Sequence, residues 1–418
     1  MNRDSPAQPR VRIDSEIGPL RSVVIHTPGS EIESMTPKTA AEVLYNDIIP
    51  LGLVSNEHRL LKEFLSRVCD VFEVGDLLDR AFAGSAGAAR RAALLDRIAG
   101  AGPARERRGE LDEMDASTLV RTVIGGLHAR DDSIAGVLAG RQYDLPPLPN
   151  IYFMRDSSFV VRDRYAVSTM AYAVRSAEAE IMRAVLDSIA GSDAALEPCP
   201  VSIEGGDVVV LGPTTIAIGV SERTTAAAID ALAARLSAAF EEPIDLIVVV
   251  LPRERSTIHL DMVFTMVDRE QALVYEPHVV GPRRAAAYTM RLEPGRAARI
   301  DRHDGLLDAL RQADRPVTTI ACGGSDPVTR EREQWLSAAN VVSFAPGKVI
   351  GYDCNVATMD AFSSAGYDVV DVRRFTDGDD APDSHERLFV AMPGVNLARG
   401  GGGPRCMTLP LERDPIDR

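Results

Sequence analysis

A chain of 418 residues with 45% apolar content is long enough for two or three ordinary domains or one large repeat-built domain. A formal net charge of −15 and a pI near 5.0 argue against duplex nucleic acid and anionic membranes as partners, and suit a small cationic substrate. No stretch reaches the roughly 18 apolar residues of a membrane span, residues 1–11 lack the apolar run of a secretory signal, and Cys69, Cys199, Cys322, Cys354 and Cys406 are scattered without metal-knuckle spacing, which points to a reducing cytoplasm and no disulfide framework.

In chain order, residues 1–10 are expected to be disordered. Leu20 to Thr27 reads as a first strand ended by Pro28-Gly29. Thr39 to Leu44 and Glu57 to Val68 read as helices, the second with Leu60, Leu61, Phe64, Leu65 and Val68 at helical spacing. Cys69 to Val74 is a strand. Residues 75–140 change character: Ala, Arg, Leu and Asp dominate, and Leu94, Leu95, Ile98, Leu119, Val120, Val123 and Ile124 recur at helical spacing. This reads as a helical insertion within one catalytic unit of residues 11–418. Its Arg105-Glu106-Arg107-Arg108 run is expected to be a solvated face.

After Pro149 a pattern repeats. Phe159–Val161 and Tyr165–Val167 form a hairpin followed by a helix from Ala177 to Ile189. Asp207–Leu211 and Thr214–Gly219 form the next, followed by a helix from Thr224 to Phe240 and a strand from Ile244 to Leu251. Met262–Val267 with Ala272–Tyr275 is the third. Val341–Phe344 with Val349–Tyr352 is the fourth, followed by a helix from Ala357 to Ala365 and a strand from Asp368 to Val372. With the N-terminal strand–helix–strand this makes about five units, which periodicity alone reads as a propeller-like ring or an open α/β sheet.

Polar clusters fall in the loops flanking these hairpins. They are Asn150 to Asp156, Glu204-Gly205-Gly206-Asp207, His259-Leu260-Asp261, and a glycine run, Gly400 to Gly403, leading to Pro404-Arg405-Cys406. A phosphate cradle is excluded for that run because no Gly-Lys-Ser/Thr follows it. Together the clusters supply a thiol, an imidazole and several carboxylates, a complete set for covalent catalysis.

These stretches resemble the arginine deiminase family, within the superfamily of guanidine-modifying deiminases and amidinotransferases. The matching pieces are Leu148-Pro149-Asn150 with Arg155-Asp156, Glu204 to Asp207, Ser221-Glu222-Arg223-Thr224, His259 to Asp261, Glu331 to Trp335, and Gly402 to Thr408. They occur in the family's order, from Ile13 to Pro415, and the helical insertion is part of the likeness. The resemblance implies a pentein-like, five-bladed α/β propeller of ββαβ units. It implies that Cys406 is the nucleophile, His259 the acid and base, Glu204 its orienter, and Asp156 and Asp261 the grip on the guanidinium. It assigns the rest of the substrate to Asn150, Phe153, Arg175, Asp207, Arg223 and Arg399. Arg399 and Arg405 bracket the catalytic loop and are expected to gate it. The chain departs from the family where Gly401 stands in place of a frequent arginine, and across Tyr45 to Pro50.

The implied reaction is hydrolysis of free L-arginine to L-citrulline and ammonia, with no cofactor and no metal, in a cytoplasmic homo-oligomer. Another small guanidino substrate, an amidinotransferase, and a non-catalytic guanidine binder are the alternatives. A guanidinium carbon is a poor electrophile because resonance feeds it, so a thiolate suits the attack better than a hydroxyl. Flanking carboxylates are expected to raise the thiol's pKa until a cation is bound.

Overall fold

The computed structural model describes residues 9–130 and 134–416, so most of the disorder expected for residues 1–10 lies outside it. Strand pairs at the expected places carry the architecture. Ser158–Val161 pairs antiparallel with Arg164–Val167, Val208–Gly212 with Thr215–Val220, Phe264–Asp268 with Gln271–Val274, and Val342–Ala345 with Lys348–Tyr352. The fifth pair joins Leu409–Arg413 to Leu20–Ile25, so the last strand of the described chain completes the first unit.

The first strand of each pair is buried on nearly every residue and reads as a continuous apolar run, as a strand covered on both faces should. The second strand feeds a crossover. Helix Leu51–Val68 leads to Asp70–Glu73, parallel to Leu20–Ile25; helix Ala226–Ala239 leads to Ile244–Val250, parallel to Thr215–Val220. The first of these helices buries Val54, Leu61, Phe64 and Leu65, one face at three- and four-residue intervals. The second starts at Thr225, whose hydroxyl accepts from the Ala228 amide.

Contacts between units run in a ring. Phe264–Asp268 packs on Val342–Ala345, which packs on Leu20–Ile25; Leu409–Arg413 packs on Ser158–Val161. The remaining joints are made by the short turns before the strands, Met154–Ser157 on Gly205–Asp207, and Leu260–Met262 on Val208–Gly212. Ser343 Oγ donates to the Met266 carbonyl at 2.7 Å and Arg413 Nη2 to the Ser343 carbonyl at 2.7 Å, tying three units together.

Several elements differ from the sequence reading. Residues 39–44 form turns, with Leu44 at φ 68°, because Tyr45 is drawn inward to donate to the Pro149 carbonyl. Counting the unit of Leu20–Ile25 as the first, in the fifth unit the strand beside Lys348–Tyr352 is Leu388–Met392; Asp368–Asp371 pairs on its outer side. The fourth unit closes with Thr318–Ala321, and the third is extended by Ala286–Leu292 and Arg299–His303. The second closes with only a single bridge, Tyr165 to Ala195. Residues 74–125 fold as the helices Val74–Ala81, Gly87–Ile98, Gly102–Glu106, Arg108–Glu113 and Ala116–Gly125. Arg107 is no solvated charge: it is buried on Glu110 and Asp144. No disulfide joins the five cysteines, and no described helix is long and apolar enough to cross a membrane.

Candidate active site

The ring fixes the site, because the residues just before each buried first strand come together at one end. Asp156 precedes Ser158, Glu204 and Asp207 precede Val208, His259 and Asp261 precede Phe264, Asn340 precedes Val342, and Cys406 precedes Leu409. The hairpin turns lie at the opposite end. There Gly212-Pro213-Thr214 and Asp268 to Gln271 line a larger cavity of about 720 Å³, away from these residues.

Cys406, His259, Asp156, Asn150, Phe153, Arg175, Arg223 and Arg399 line one narrow cavity of about 130 Å³. Glu204, Asp207 and Asp261 stand behind its wall, each fully buried. His259 sits between two acids: Nε2 lies 2.9 Å from Glu204 Oε2 and Nδ1 lies 3.6 Å from Asp156 Oδ1. Glu204 Oε1 accepts from the Ala171 amide at 3.0 Å, and Oε2 also faces Arg223 Nη1 at 3.4 Å. Burial would make this imidazole less basic, but Asp156, Glu204 and Asp207 outweigh it and hold His259 at about 9. Burial likewise opposes the Glu204 charge, and the His259 bond with Arg223 and Arg175 overcomes it, holding Glu204 at about 2.

Cys406 is set by Asn340, whose Oδ1 accepts from the amides of Cys406 (2.9 Å) and Gly403 (3.1 Å). Its sulfur lies 3.9 Å from Asp261 Oδ2. Burial, then Asp261 and Asp156, push the thiol well above its ordinary value, while the Gly403 amide and Arg405 oppose them. The expected carboxylate effect is present, and burial is larger still. A Cβ at Gly402 would lie 2.6 Å from the Phe153 ring and 2.9 Å from Cys406 Cβ, so this part of the glycine run lets the loop lie against the pocket wall.

The two aspartates are held alike. Asp156 Oδ2 accepts from Arg175 Nη1 at 2.7 Å, and Asp261 Oδ2 from Arg405 Nη1 at 2.7 Å. The second oxygen of each, Asp156 Oδ1 and Asp261 Oδ1, is buried without a hydrogen bond. Two unfilled anionic acceptors, one lining the narrow pocket and one behind its wall, favour a cationic donor. Asp156, Glu204 and His259 offer ligand atoms within 4.8 Å of one another. Both ring nitrogens, however, face carboxylates and the ring is held protonated near neutrality, so a metal would have to displace those protons.

Three of the arginines and acids singled out in the sequence sit in buried pairings. Asp207 stands outside the cavity lining: it accepts from Ser221 Oγ at 2.6 Å and the Leu260 amide at 2.9 Å, buttressing the His259 turn, and burial lifts its carboxyl to about 7. Arg175 lines the cavity, with its Nε and Nη2 on Glu178 and its Nη1 on Asp156. Arg405 does not gate the loop; it points into the core with no exposed surface. Arg399 does sit at the mouth, paired with Asp47. Asn340 escaped sequence reasoning. Its only signal is position, just before the first strand of the fifth unit, where the other units carry an acid or the thiol.

The family model described as Arginine deiminase matches residues 41–376. The chain is 32% identical to proteins named arginine deiminase from Mycolicibacterium gilvum (strain PYR-GCK) and Rhodococcus opacus (strain B4), over 96% of its length and 98% and 97% of theirs. Among solved structures it is similar to a dimethylarginine dimethylaminohydrolase adduct with S-methyl-L-thiocitrulline, with a TM-score of 0.51 at 14% identity, covering 93% of this chain and 99% of that one. It is also similar to an amidinotransferase from Microseira wollei, with a TM-score of 0.54 at 13% identity, covering 97% of this chain and 98% of that one. At such identity these two speak for the fold alone.

Proposed function

Because the chain belongs to the arginine deiminase family, we propose that it hydrolyses free L-arginine to L-citrulline and ammonia through a covalent intermediate on Cys406. The observation that carries this reading is the pair of buried, unbonded oxygens, Asp156 Oδ1 on the cavity that also holds the thiol and the imidazole, and Asp261 Oδ1 just behind its wall. A planar cation with a fork of N–H donors satisfies both at once.

In this reading the bound guanidinium offsets Asp156 and Asp261, and the Cys406 thiol ionises against it, its proton passing to solvent. The thiolate attacks the guanidinium carbon and forms a C–S bond. His259, protonated between Glu204 and Asp156, gives its proton to the departing nitrogen, which leaves as ammonia. A cationic amidino thioether remains on Cys406. Neutral His259 takes a proton from water as the water oxygen attacks the same carbon, and breaking of the C–S bond, with loss of the remaining hydroxyl proton to solvent, releases citrulline and the thiolate. Arg223 and Arg399, with Asn150 and Phe153, receive the amino-acid end; Arg175 keeps Asp156 in place. Glu204 fixes the ring orientation through the 2.9 Å bond.

We also propose that residues 11–418 act as one catalytic domain, a five-bladed propeller with the helical stretch 75–140 inserted in it, and that the protein works in the cytoplasm as a homo-oligomer. Five cysteines without a disulfide among them suit that compartment. The test is product analysis. L-Arginine should give citrulline and ammonia in equal amounts, and Cys406→Ala should give neither. Ornithine formed in the presence of an amine acceptor would instead make the protein an amidinotransferase, and no turnover would direct the search to another guanidine.

A further inference from the structure

Behind the pocket, one buried carboxylate organises a group of arginines that the mechanism has not used. Glu16 arrives on the N-terminal segment, anchored where its amide donates to the Val210 carbonyl at 2.7 Å. Its Oε1 accepts from Arg405 Nε at 2.9 Å and stands 3.7 Å from Arg155 Nη2. Arg405 is wholly buried and gives Nη2 to the Val208 carbonyl at 2.8 Å and Nη1 to Asp261 Oδ2 at 2.7 Å. The sequence Glu16–Arg405–Asp261 therefore runs from the core to within 3.9 Å of the nucleophilic sulfur. On the other side of the pocket Glu178–Arg175–Asp156 has the same form.

We propose that Glu16 and Arg405 are positioning residues for the deimination, holding Asp261 so that one of its oxygens stays free for the substrate cation while a fixed positive charge sits behind Cys406. The inference rests on the reading of Asp261 as a guanidinium grip. An arginine facing a lone carboxylate prefers the two-bond fork, which would occupy both oxygens. Arg405 is denied that arrangement because Glu16 and the Val208 carbonyl take Nε and Nη2, and only Nη1 reaches Asp261. Asp261 Oδ1 is thereby left without a hydrogen bond. Burial alone would discharge Glu16, but Arg405, Arg155 and Arg413 outweigh it and keep it ionised, at about 2. With Glu16 neutral, Arg405 turns its full charge on Asp261 and competes with the substrate for it.

The test uses the full chain with Glu16→Gln, Glu16→Asp and Arg405→Lys, checked for folding by thermal melting. Two readouts are taken: kcat and KM for L-arginine, and the pH profile of Cys406 alkylation by iodoacetamide without substrate. The groups that face the sulfur in that profile are Asp261, Asp156, Arg405, Tyr152 and Tyr352, with His259 lining the same cavity. In Glu16→Gln, KM should rise at least about tenfold with a smaller change in kcat, and alkylation should move to lower pH by about one unit because a negative charge has gone. Glu16→Asp and Arg405→Lys keep the charges but not the reach, so KM should rise while the alkylation profile stays near that of the parent.

A merely structural role would lower the folded fraction and apparent kcat while leaving KM and the alkylation profile unmoved, and that result overturns the proposal. Should Glu16→Gln not fold, unchanged KM in the two charge-conserving variants overturns it equally. Alkylation needs no turnover, so this arm still reads the charge behind the sulfur if L-arginine proves not to be the substrate.

Discussion

Gly206 gives the sharpest test of the site, because the space beside it is filled by the catalytic groups themselves. A methyl group built there lies 2.6 Å from His259 Cγ and Nδ1 and 3.0 Å from Asp156 Oδ1. Ordinary contact begins near 3.4 Å, so in Gly206→Ala the imidazole must retreat by about 0.8 Å. The ring cannot turn aside cheaply, since Nε2 is bonded to Glu204 and the side chain is fully buried. A displacement approaching 1 Å at a proton-transfer group costs about 10²-fold in rate, or about 2.7 kcal/mol of barrier. Gly206 needs no left-handed backbone, so alanine adds no φ strain and narrows the unfolded ensemble. We expect kcat/KM for citrulline formation to fall about 10²-fold while the melting temperature changes by only a few degrees. Gly205→Ala is the control. Its methyl group meets the backbone carbonyls of Arg155 at 2.1 Å and Ser158 at 2.8 Å, which cannot yield, so folding itself should suffer. Full activity in folded Gly206→Ala would refute the placement of His259 as the proton-transfer group.

Other outcomes follow from the same geometry. His259 is held at about 9, above its ordinary 6.5, so its charged form stabilises the fold; that stabilisation is complete below about pH 6.5 and is lost as pH rises through about 9. Thermal melting against pH should therefore show an alkaline decline that is weaker in His259→Gln. Iodoacetamide should modify Cys406 slowly at neutral pH in the empty protein, since burial and two aspartates suppress the thiolate, and the rate should climb with pH; fast neutral alkylation would contradict this. Phe64 is fully buried in edge contact with Phe344 at 5.1 Å and Phe375 at 5.6 Å, so Phe64→Ala should cost about 3–5 kcal/mol in chemical denaturation, and a loss under 1 kcal/mol would sink the packing argument.

Sequence reasoning reached the repeat and the thiol, imidazole and acids because both leave marks in one dimension. Two short apolar runs either side of a tight turn announce a strand pair wherever they fall, and Cys406, His259 and Glu204 carry chemistry in their residue types. Direction leaves no such mark. Arg405 and Cys406 are neighbours in the chain, yet one enters the core and the other the pocket, so adjacency suggested a gate where there is a buried ion pair. Asp207 shares a turn with Glu204 but is spent on Ser221 and Leu260. The amide of Asn340 has no reactivity to draw the eye, and only the register of five superposed units singles it out. The strands Thr318–Ala321 and Leu388–Met392 were also missed. Each sits beside its unit's second strand but is separated from it by a long connection, so no local period announces the pairing.

Leu409–Arg413 both follows Cys406 and completes the sheet begun by Leu20–Ile25. Maturation and reactivity are thereby linked in time: a polypeptide emerging from its amino end has acids and imidazole available early, but its sulfur reaches them only when the final strand docks. A molecule in which that strand is undocked would be catalytically silent, because the sulfur precedes it by only three residues.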